Sequence, residues 1–297
     1  MARLHIRNPA EWAVDQVIHA GAAAESVVQS VIGTREKRRS ALPAVRCIAL
    51  GDLKDVLAKG LDDTGVYRTD VFFLCLIYPV IGLGLIGLTF GHGLLPLLFP
   101  VAAGFALVGP VAAVGLYEMS RRRERGLKTT WADAFGVVRA PAFGAIAVLG
   151  LILMAVFLLW LVAADAIYQA TLGPDQPDSI ETFVRDMFTT NEGWVMIGVG
   201  VGVGFVFAVL VLSISVVSFP LLLDREVGLA RAVTTSIRAV AMNPVPMAVW
   251  GMIVAGGLVL GSLPLLLGLV IVMPVLGHGT WHLYRKVVSL PAGSTGR

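Results

Sequence analysis

Long uncharged apolar runs alternate with short charged segments along most of this chain. Six such runs cover residues 71–90, 94–116, 141–164, 194–220, 245–260 and 264–284. A helix needs about 20 apolar residues to cross the roughly 30 Å hydrocarbon core of a bilayer. The runs therefore predict an all-α, polytopic bundle of six transmembrane helices in a domain at residues 70–287. The fifth run is short, and the tight turn at 261–264 predicts that it forms a hairpin with the sixth.

The basic residues predict how the chain is threaded. Arg121, Arg122, Arg123, Arg125 and Lys128 follow the second run, and segments this basic stay on the cytoplasmic side. With both termini inside, Arg185 is the only one of the 23 Lys and Arg residues left outside. We therefore expect a multi-pass membrane protein with its N- and C-termini in the cytoplasm.

Composition agrees with a membrane protein, because only 14% of the residues are charged and 57% are hydrophobic, against about 25% charged residues in globular proteins. The net charge of +3 does not predict nucleic-acid binding, because the basic residues adjoin the apolar runs. We expect the lipid bilayer, with anionic lipids among its components, as a partner. A membrane-protein partner or a homodimer is also expected.

The segments outside the runs predict short amphipathic helices. Residues 1–69 form a predicted cytoplasmic region. One helix starts at Pro9 with Asn8 as its cap, and a second short piece from Asp52 to Lys59 is expected to lie in the interface and to have a packing role. Residues 288–297 are a predicted flexible tail. The loops after the second and fourth runs each start after Gly-Leu and end at a proline. This likeness indicates a parallel repeat of a two-helix hairpin, with convergence as the alternative.

Few residues in the runs carry recognisable chemistry. No acidic or basic side chain lies in the runs away from their ends, which argues against ion-coupled transporters and proton pumps, since these use buried ionisable groups. No phosphate-binding loop or hydrolase motif occurs, so the chain is not predicted to be an enzyme and no cofactor is expected.

His278 and His282 are the sole pair that resembles part of a metal or haem site. Four residues apart, they share one face of a helix and could supply half of a zinc or copper site. A third ligand is missing, because His92 is predicted on the opposite side of the membrane. The preferred interpretation is that both histidines contact headgroups or nearby carbonyls.

Two further patterns predict contacts rather than chemistry. The basic patch Arg121, Arg122, Arg123, Arg125 and Lys128 is a candidate site for anionic headgroups, with a pure topology signal as the alternative. Gly198, Gly200, Gly202 and Gly204 have the small-xxx-small spacing of closely packed membrane helices. Packing within the chain is preferred over homodimerisation, because five other spans are available.

Three stretches carry a resemblance to a known family. They are PVAAGFALVGPVAAVGLY from Pro100, SFPLLLDREVGLARAVTTSIR from Ser218 and VLGHGTWHLYRK from Val275. Over residues 44–288 the chain resembles a bacterial family of predicted integral membrane proteins of unknown function, some of whose members are labelled cytochrome c oxidase subunit I-like. The resemblance implies six spans in the inner membrane. Catalysis by a haem–copper site would require roughly six membrane histidines, and the runs contain at most two.

These observations predict a non-enzymatic inner-membrane protein that serves as a scaffold, assembly factor or accessory protein for other membrane components. One alternative is a carrier or channel for a neutral or lipid-like solute, suggested by the proline- and glycine-rich runs. A second is a haem- or copper-associated respiratory accessory protein built on His278 and His282.

Overall fold

Helices make up nearly all of the regular structure that the computed structural model describes, which covers residues 42–67, 71–72, 75–91, 95–174, 177 and 179–289. The predicted N-terminal helix that starts at Pro9 lies outside these residues. In chain order the α-helices are α1 Leu50–Val66, α2 Ile77–Gly91, α3 Leu98–Ala112, α4 Val114–Glu124, α5 Trp131–Ala134, α6 Phe143–Thr171, α7 Ile180–Thr189, α8 Asn191–Ser215, α9 Ser218–Asp224, α10 Leu229–Met242, α11 Pro244–Ser262 and α12 Leu269–Val287.

Within the described residues, three helical stretches are long and apolar enough to cross a membrane. They are α6, the run through α8 and α9 over Asn191–Asp224, and α11. Their outer faces expose large apolar side chains; Phe205 on α8, for example, is 69% exposed. Faces of this kind suit lipid, because apolar surface gains from leaving water. The third, fourth and fifth predicted spans are therefore confirmed as candidate membrane helices.

The other predicted spans form helices that are shorter or less apolar. The first begins among residues that are partly outside the described ones and continues as α2, which is 15 residues long. The second is divided at Ala113 into α3 and α4, and α4 extends past the predicted end into the basic patch. The sixth starts only at Leu269, because residues 263–268 form turns in which Leu265 and Leu266 adopt positive φ angles. The helix α12 packs against α11, as the predicted hairpin requires.

The helix α1 packs along the C-terminal half of α12. The predicted piece at 52–59 is longer than expected, and Gly60, expected to end it, lies inside it. The side chains of Leu53, Val56 and Asp63 are buried. A Cβ at Gly60 would lie 2.7 Å from the Val275 carbonyl oxygen, so only glycine allows the two helices this approach. The helix is thus docked on the bundle, in agreement with its predicted packing role, and its position in the membrane interface stays a prediction.

Both ends of the described chain are tied to this assembly. Val45 and Val288 form an antiparallel bridge, and the Arg46 N–H donates to the Val287 carbonyl at 2.8 Å. The Asn243 side chain accepts from the Ile48 N–H at 2.7 Å and donates to the Arg46 carbonyl at 3.0 Å. The segment before α1 is therefore anchored at the joint between α10 and α11.

The two loops with the predicted repeat are both helical, but they differ in form. After Gly126-Leu127 the chain forms the four-residue α5 and a 3-10 turn over Phe135–Arg139. After Gly228 it forms α10, a regular helix of 14 residues. The duplication of a hairpin stays a prediction.

Trp194, Trp281, Tyr284 and Tyr168 lie near the ends of the predicted spans, where the sequence predicts an aromatic belt at the membrane surface. Trp194 is exposed, as such a belt requires. Trp281, Tyr284 and Tyr168 are instead buried in the protein. The prediction was wrong for these three because the helix faces that carry them are covered by neighbouring helices, which a sequence position near a span end does not reveal.

Candidate functional site

A buried carboxylate joins α1, α4 and α12 at one end of the bundle. Asp63 lies one turn after Gly60 and is 3% exposed. Its Oδ2 accepts hydrogen bonds from the Ser120 hydroxyl at 2.5 Å and from His282 Nε2 at 2.9 Å. Its Oδ1 accepts from the Arg123 guanidinium. We call Asp63, Ser120, Arg123, His278 and His282 the Asp63 cluster.

The protonation of the cluster follows from its geometry. Burial by itself raises the pKa of Asp63, but hydrogen bonds from His282 and Ser120 and electrostatic interaction with the two imidazole rings lower it to about 2. An ionised carboxylate only accepts hydrogen bonds, so the Ser120 hydroxyl must donate to Asp63. The Ser120 oxygen is then left to accept from His278 Nδ1, which lies 2.7 Å away.

The two histidines therefore do not lie where the sequence predicted. His278 is fully buried and His282 nearly so, and their hydrogen-bonding partners are Ser120 and Asp63 rather than lipid headgroups. The sequence signal for a contact with Asp63 is its spacing from Gly60, which places both residues on the buried face of the amphipathic helix α1. That spacing does not identify α12 and its histidines as the partner of this face.

Serine, histidine and aspartate meet here in an order that does not suit hydrolysis. In a catalytic triad the histidine lies between the serine and the aspartate and takes the hydroxyl proton. Here Ser120 lies between His278 and Asp63 and gives its hydrogen bond to the carboxylate. A carboxylate with a pKa of about 2 is a poor general base at neutral pH, and Ser120 is fully buried. The arrangement holds three helices together rather than activating a nucleophile.

The histidines were also the weak metal candidates. Within the described residues, no group of three or more His, Cys, Asp or Glu side chains has an arrangement that could hold a metal ion. His92, considered as a third ligand, lies outside those residues.

The predicted headgroup patch is largely occupied by carboxylates. Arg121 pairs with Glu118 at 2.7 Å, and Arg122 pairs with Asp133 at 3.0 Å. The remaining two arginines are also paired, Arg123 with Asp62 and Asp63, and Arg125 with Asp224 at 3.7 Å. Lys128 is exposed and has no ion-pair partner in the part of the chain that the structure describes. Headgroup binding by this patch stays a prediction, and Lys128 is its one unpaired member.

Further ion pairs extend this charged layer onto the last helix. Arg285 pairs with Glu124 at 3.1 Å, and Lys286 reaches Asp52 at 2.6 Å and Asp55 at 2.9 Å. These contacts, mainly the hydrogen bond to Asp52, raise the pKa of Lys286. The layer connects α1, α4 and α12 around the Asp63 cluster.

Two cavities border this end of the bundle. A polar one of about 290 Å³ lies beside the Asp63 cluster and is lined in part by Lys59, Asp62, Glu124 and His282. An apolar one of about 500 Å³ lies where α3, α4 and α6 meet the loop of α5.

The glycine stripe on α8 is only partly used within the chain. A Cβ at Gly204 would lie 3.2 Å from the ring of Trp160, so this glycine packs closely against α6. A Cβ at Gly198, Gly200 or Gly202 would meet nothing within 4 Å among the described atoms. The predicted packing within the chain is thus confirmed for Gly204, and it is not seen for Gly198, Gly200 or Gly202 among the described residues. Homodimerisation stays a prediction.

We expect stability to fall in acid through Asp63. Because its pKa in the folded protein lies below the ordinary value of 3.8, the carboxylate stabilises the fold fully above about pH 4 and progressively less as the pH falls towards 2. Thermal unfolding in detergent from pH 5 to pH 2 measures this loss. An Asp63→Asn variant should lose less stability over the same range; an equal loss in both proteins would contradict the assignment.

One comparison with known proteins supports the membrane assignment. A family described as "Predicted integral membrane protein (DUF2189)" matches residues 98–224, a stretch that includes the first of the three resembling segments and the start of the second. No curated protein and no solved structure matches the chain. The match and the three candidate spans support a multi-pass integral membrane protein of a kind whose function is unknown.

Proposed function

We propose that the chain is a non-catalytic protein of the bacterial inner membrane that organises or assists other membrane components. The observation that carries this proposal is the Asp63 cluster. Its serine, histidine, aspartate and arginine side chains are the types that catalysis uses, yet they bond to one another. A rigid, charged platform at one end of a membrane bundle suits a role in holding partners better than a role in turnover.

Co-purification tests this role. The tagged full chain is extracted in a mild detergent and compared with an unrelated tagged multi-pass protein prepared in the same way. We expect one or more membrane proteins to accompany this chain reproducibly and in near-constant ratio. A chain that is isolated alone in repeated preparations would contradict a scaffold or assembly role.

A second candidate is a carrier for a lipid-like solute. The apolar cavity between α4, α6 and the α5 loop favours it, because binding sites for small apolar molecules are concave and lined by hydrophobic side chains. Transfer of fluorescent phospholipid between the leaflets of reconstituted vesicles tests this function. No transfer above that of protein-free vesicles would contradict it.

We expect the charged layer to lie on the cytoplasmic side of the membrane, and labelling of introduced cysteines tests this. Cys47 and Cys75 are replaced by serine, and single cysteines are introduced as Lys128→Cys in the basic loop and Thr182→Cys in α7. In intact spheroplasts a membrane-impermeant maleimide should label only the Thr182→Cys variant. After the membrane is permeabilised, both variants should react. Labelling of the Lys128→Cys variant in intact spheroplasts would reverse the topology.

A further inference from the structure

The apolar cavity has walls from four elements. Val111 and Val114 come from α3 and α4, Val137 and Val138 from the 3-10 turn after α5, and Ala147 and Gly150 from α6. All of its lining residues are apolar or glycine. Its volume of about 500 Å³ lies within the range of about 300–1,000 Å³ that is typical of ligand sites.

Close contacts at the edges fix the walls around the cavity. The ion pair of Arg122 with Asp133 holds α5 against α4 at 3.0 Å. A Cβ at Gly115 would lie 3.0 Å from the Ala134 Cβ, and one at Gly150 would lie 3.5 Å from the Val111 side chain. Because the elements already touch on both sides of the cavity, they cannot move closer together to close it.

Hydrocarbon is the occupant that suits these walls. A water molecule needs two to four polar partners, which an apolar lining does not provide. An additional transmembrane helix is about 10 Å wide with its side chains and is too bulky for this space. The cavity lies at the start of α6, a candidate membrane helix, so it lies at the level where acyl chains begin below the headgroups.

A basic side chain next to the cavity favours a lipid with a negatively charged headgroup. Arg139 directly follows Val138, so their Cα atoms are about 3.8 Å apart. Its side chain is exposed and, like Lys128, has no ion-pair partner in the described residues. Arg122 Nε is buried and has no hydrogen-bond partner there. Basic pockets between membrane helices bind anionic headgroups.

We propose that this cavity holds one acyl chain of an anionic phospholipid, with its phosphate against Arg139. The site is compatible with a scaffold and with a carrier, because a bound lipid can stabilise the one and be the cargo of the other. It also reassigns headgroup binding from the paired arginines of the basic patch to the unpaired Arg139 beside the cavity.

Photo-crosslinking tests the site in the full chain. The protein is reconstituted in phosphatidylcholine vesicles that contain a small, equal fraction of phosphatidylglycerol or phosphatidylcholine with a photoreactive group on the acyl chain. Crosslinked peptides are then identified by mass spectrometry. We expect phosphatidylglycerol to label the lining segments, 134–138 and 143–154, roughly fivefold more than phosphatidylcholine does. Both lipids should label the outer face of α6 at Leu159 and Val162 equally, because these side chains are exposed apolar positions.

Three variants separate a built site from the general lipid surface. Ala147→Phe fills the cavity and should abolish labelling of the lining without changing that at Leu159. Arg139→Gln should reduce the phosphatidylglycerol preference several-fold, and it alters only an exposed side chain, so the fold is preserved even if Ala147→Phe does not fold. Arg238→Gln, an exposed cation on α10, should change nothing. Equal labelling by both lipids, or a preference that survives Arg139→Gln, would overturn the proposal.

Discussion

Asp63→Ala is expected to destabilise the protein severely. The substitution leaves Arg123, His282 and Ser120 without the carboxylate that they share. Ser120 and His282 each lose a buried acceptor, which costs about 1–3 kcal/mol apiece. Arg123 is 31% exposed and keeps its ion pair with Asp62. For a chain of this size we expect the midpoint of thermal unfolding in detergent to fall by roughly 10 °C.

The neighbouring aspartate provides the matched control. Asp62 pairs with the same arginine at 2.8 Å, but its side chain is 69% exposed. An exposed ion pair contributes about 0–1 kcal/mol, since water and salt screen it, so Asp62→Ala should change the midpoint little. If both variants behaved alike, the Asp63 cluster could not be what holds α1, α4 and α12 together.

Gly60→Ala is expected to separate α1 from α12. A methyl group here would lie 2.7 Å from the Val275 carbonyl oxygen and 2.9 Å from the Gly279 backbone nitrogen. Both contacts are with backbone atoms, which cannot rotate away, so the helices must move apart. Overpacking of this kind costs typically about 1–3 kcal/mol. The shift would also draw Asp63, one turn further along, away from His282.

Limited proteolysis measures this separation, because an undocked α1 exposes the chain around residues 42–67 to cleavage. Gly65→Ala is the control in the same helix, since a Cβ there meets nothing within 4 Å. Alanine favours a helix over glycine by up to about 1 kcal/mol, so this variant should be as resistant as the wild type or more so. Equal sensitivity of the Gly60→Ala protein and the wild type would show that the close approach is not needed.

These two results would also bear on function. If Asp63→Ala and Gly60→Ala lose both stability and the co-purifying proteins while Asp62→Ala keeps both, the platform formed by α1, α4 and α12 is where partners assemble. If the destabilised variants still retain their partners, the contact lies elsewhere on the bundle. The acyl-chain site is tested separately, because neither of these variants changes Arg139 or Lys128.

Local sequence patterns determined the helices and the membrane setting. The apolar runs at α6, α8 and α11 predict candidate spans because hydrophobic length is read directly along the chain. The proline-bounded loops likewise indicate helix starts near the right residues, Phe143 for α6 and Pro244 for α11. Boundaries that depend on turns, such as the late start of α12 at Leu269, were less well predicted.

Only the tertiary structure decided which polar side chains meet. Asp63 is 57 residues from Ser120 and 219 from His282, and no local pattern connects them. Their meeting depends on the close packing of α1 against α12 at Gly60. The same packing buries one face of α1, which the sequence predicts at the membrane interface. The same packing brought carboxylates to the arginines of the basic patch. The sequence by itself determined helical segments and their affinity for lipid, because those depend on neighbouring residues; the folded chain determined the charge pairing, because that depends on shape.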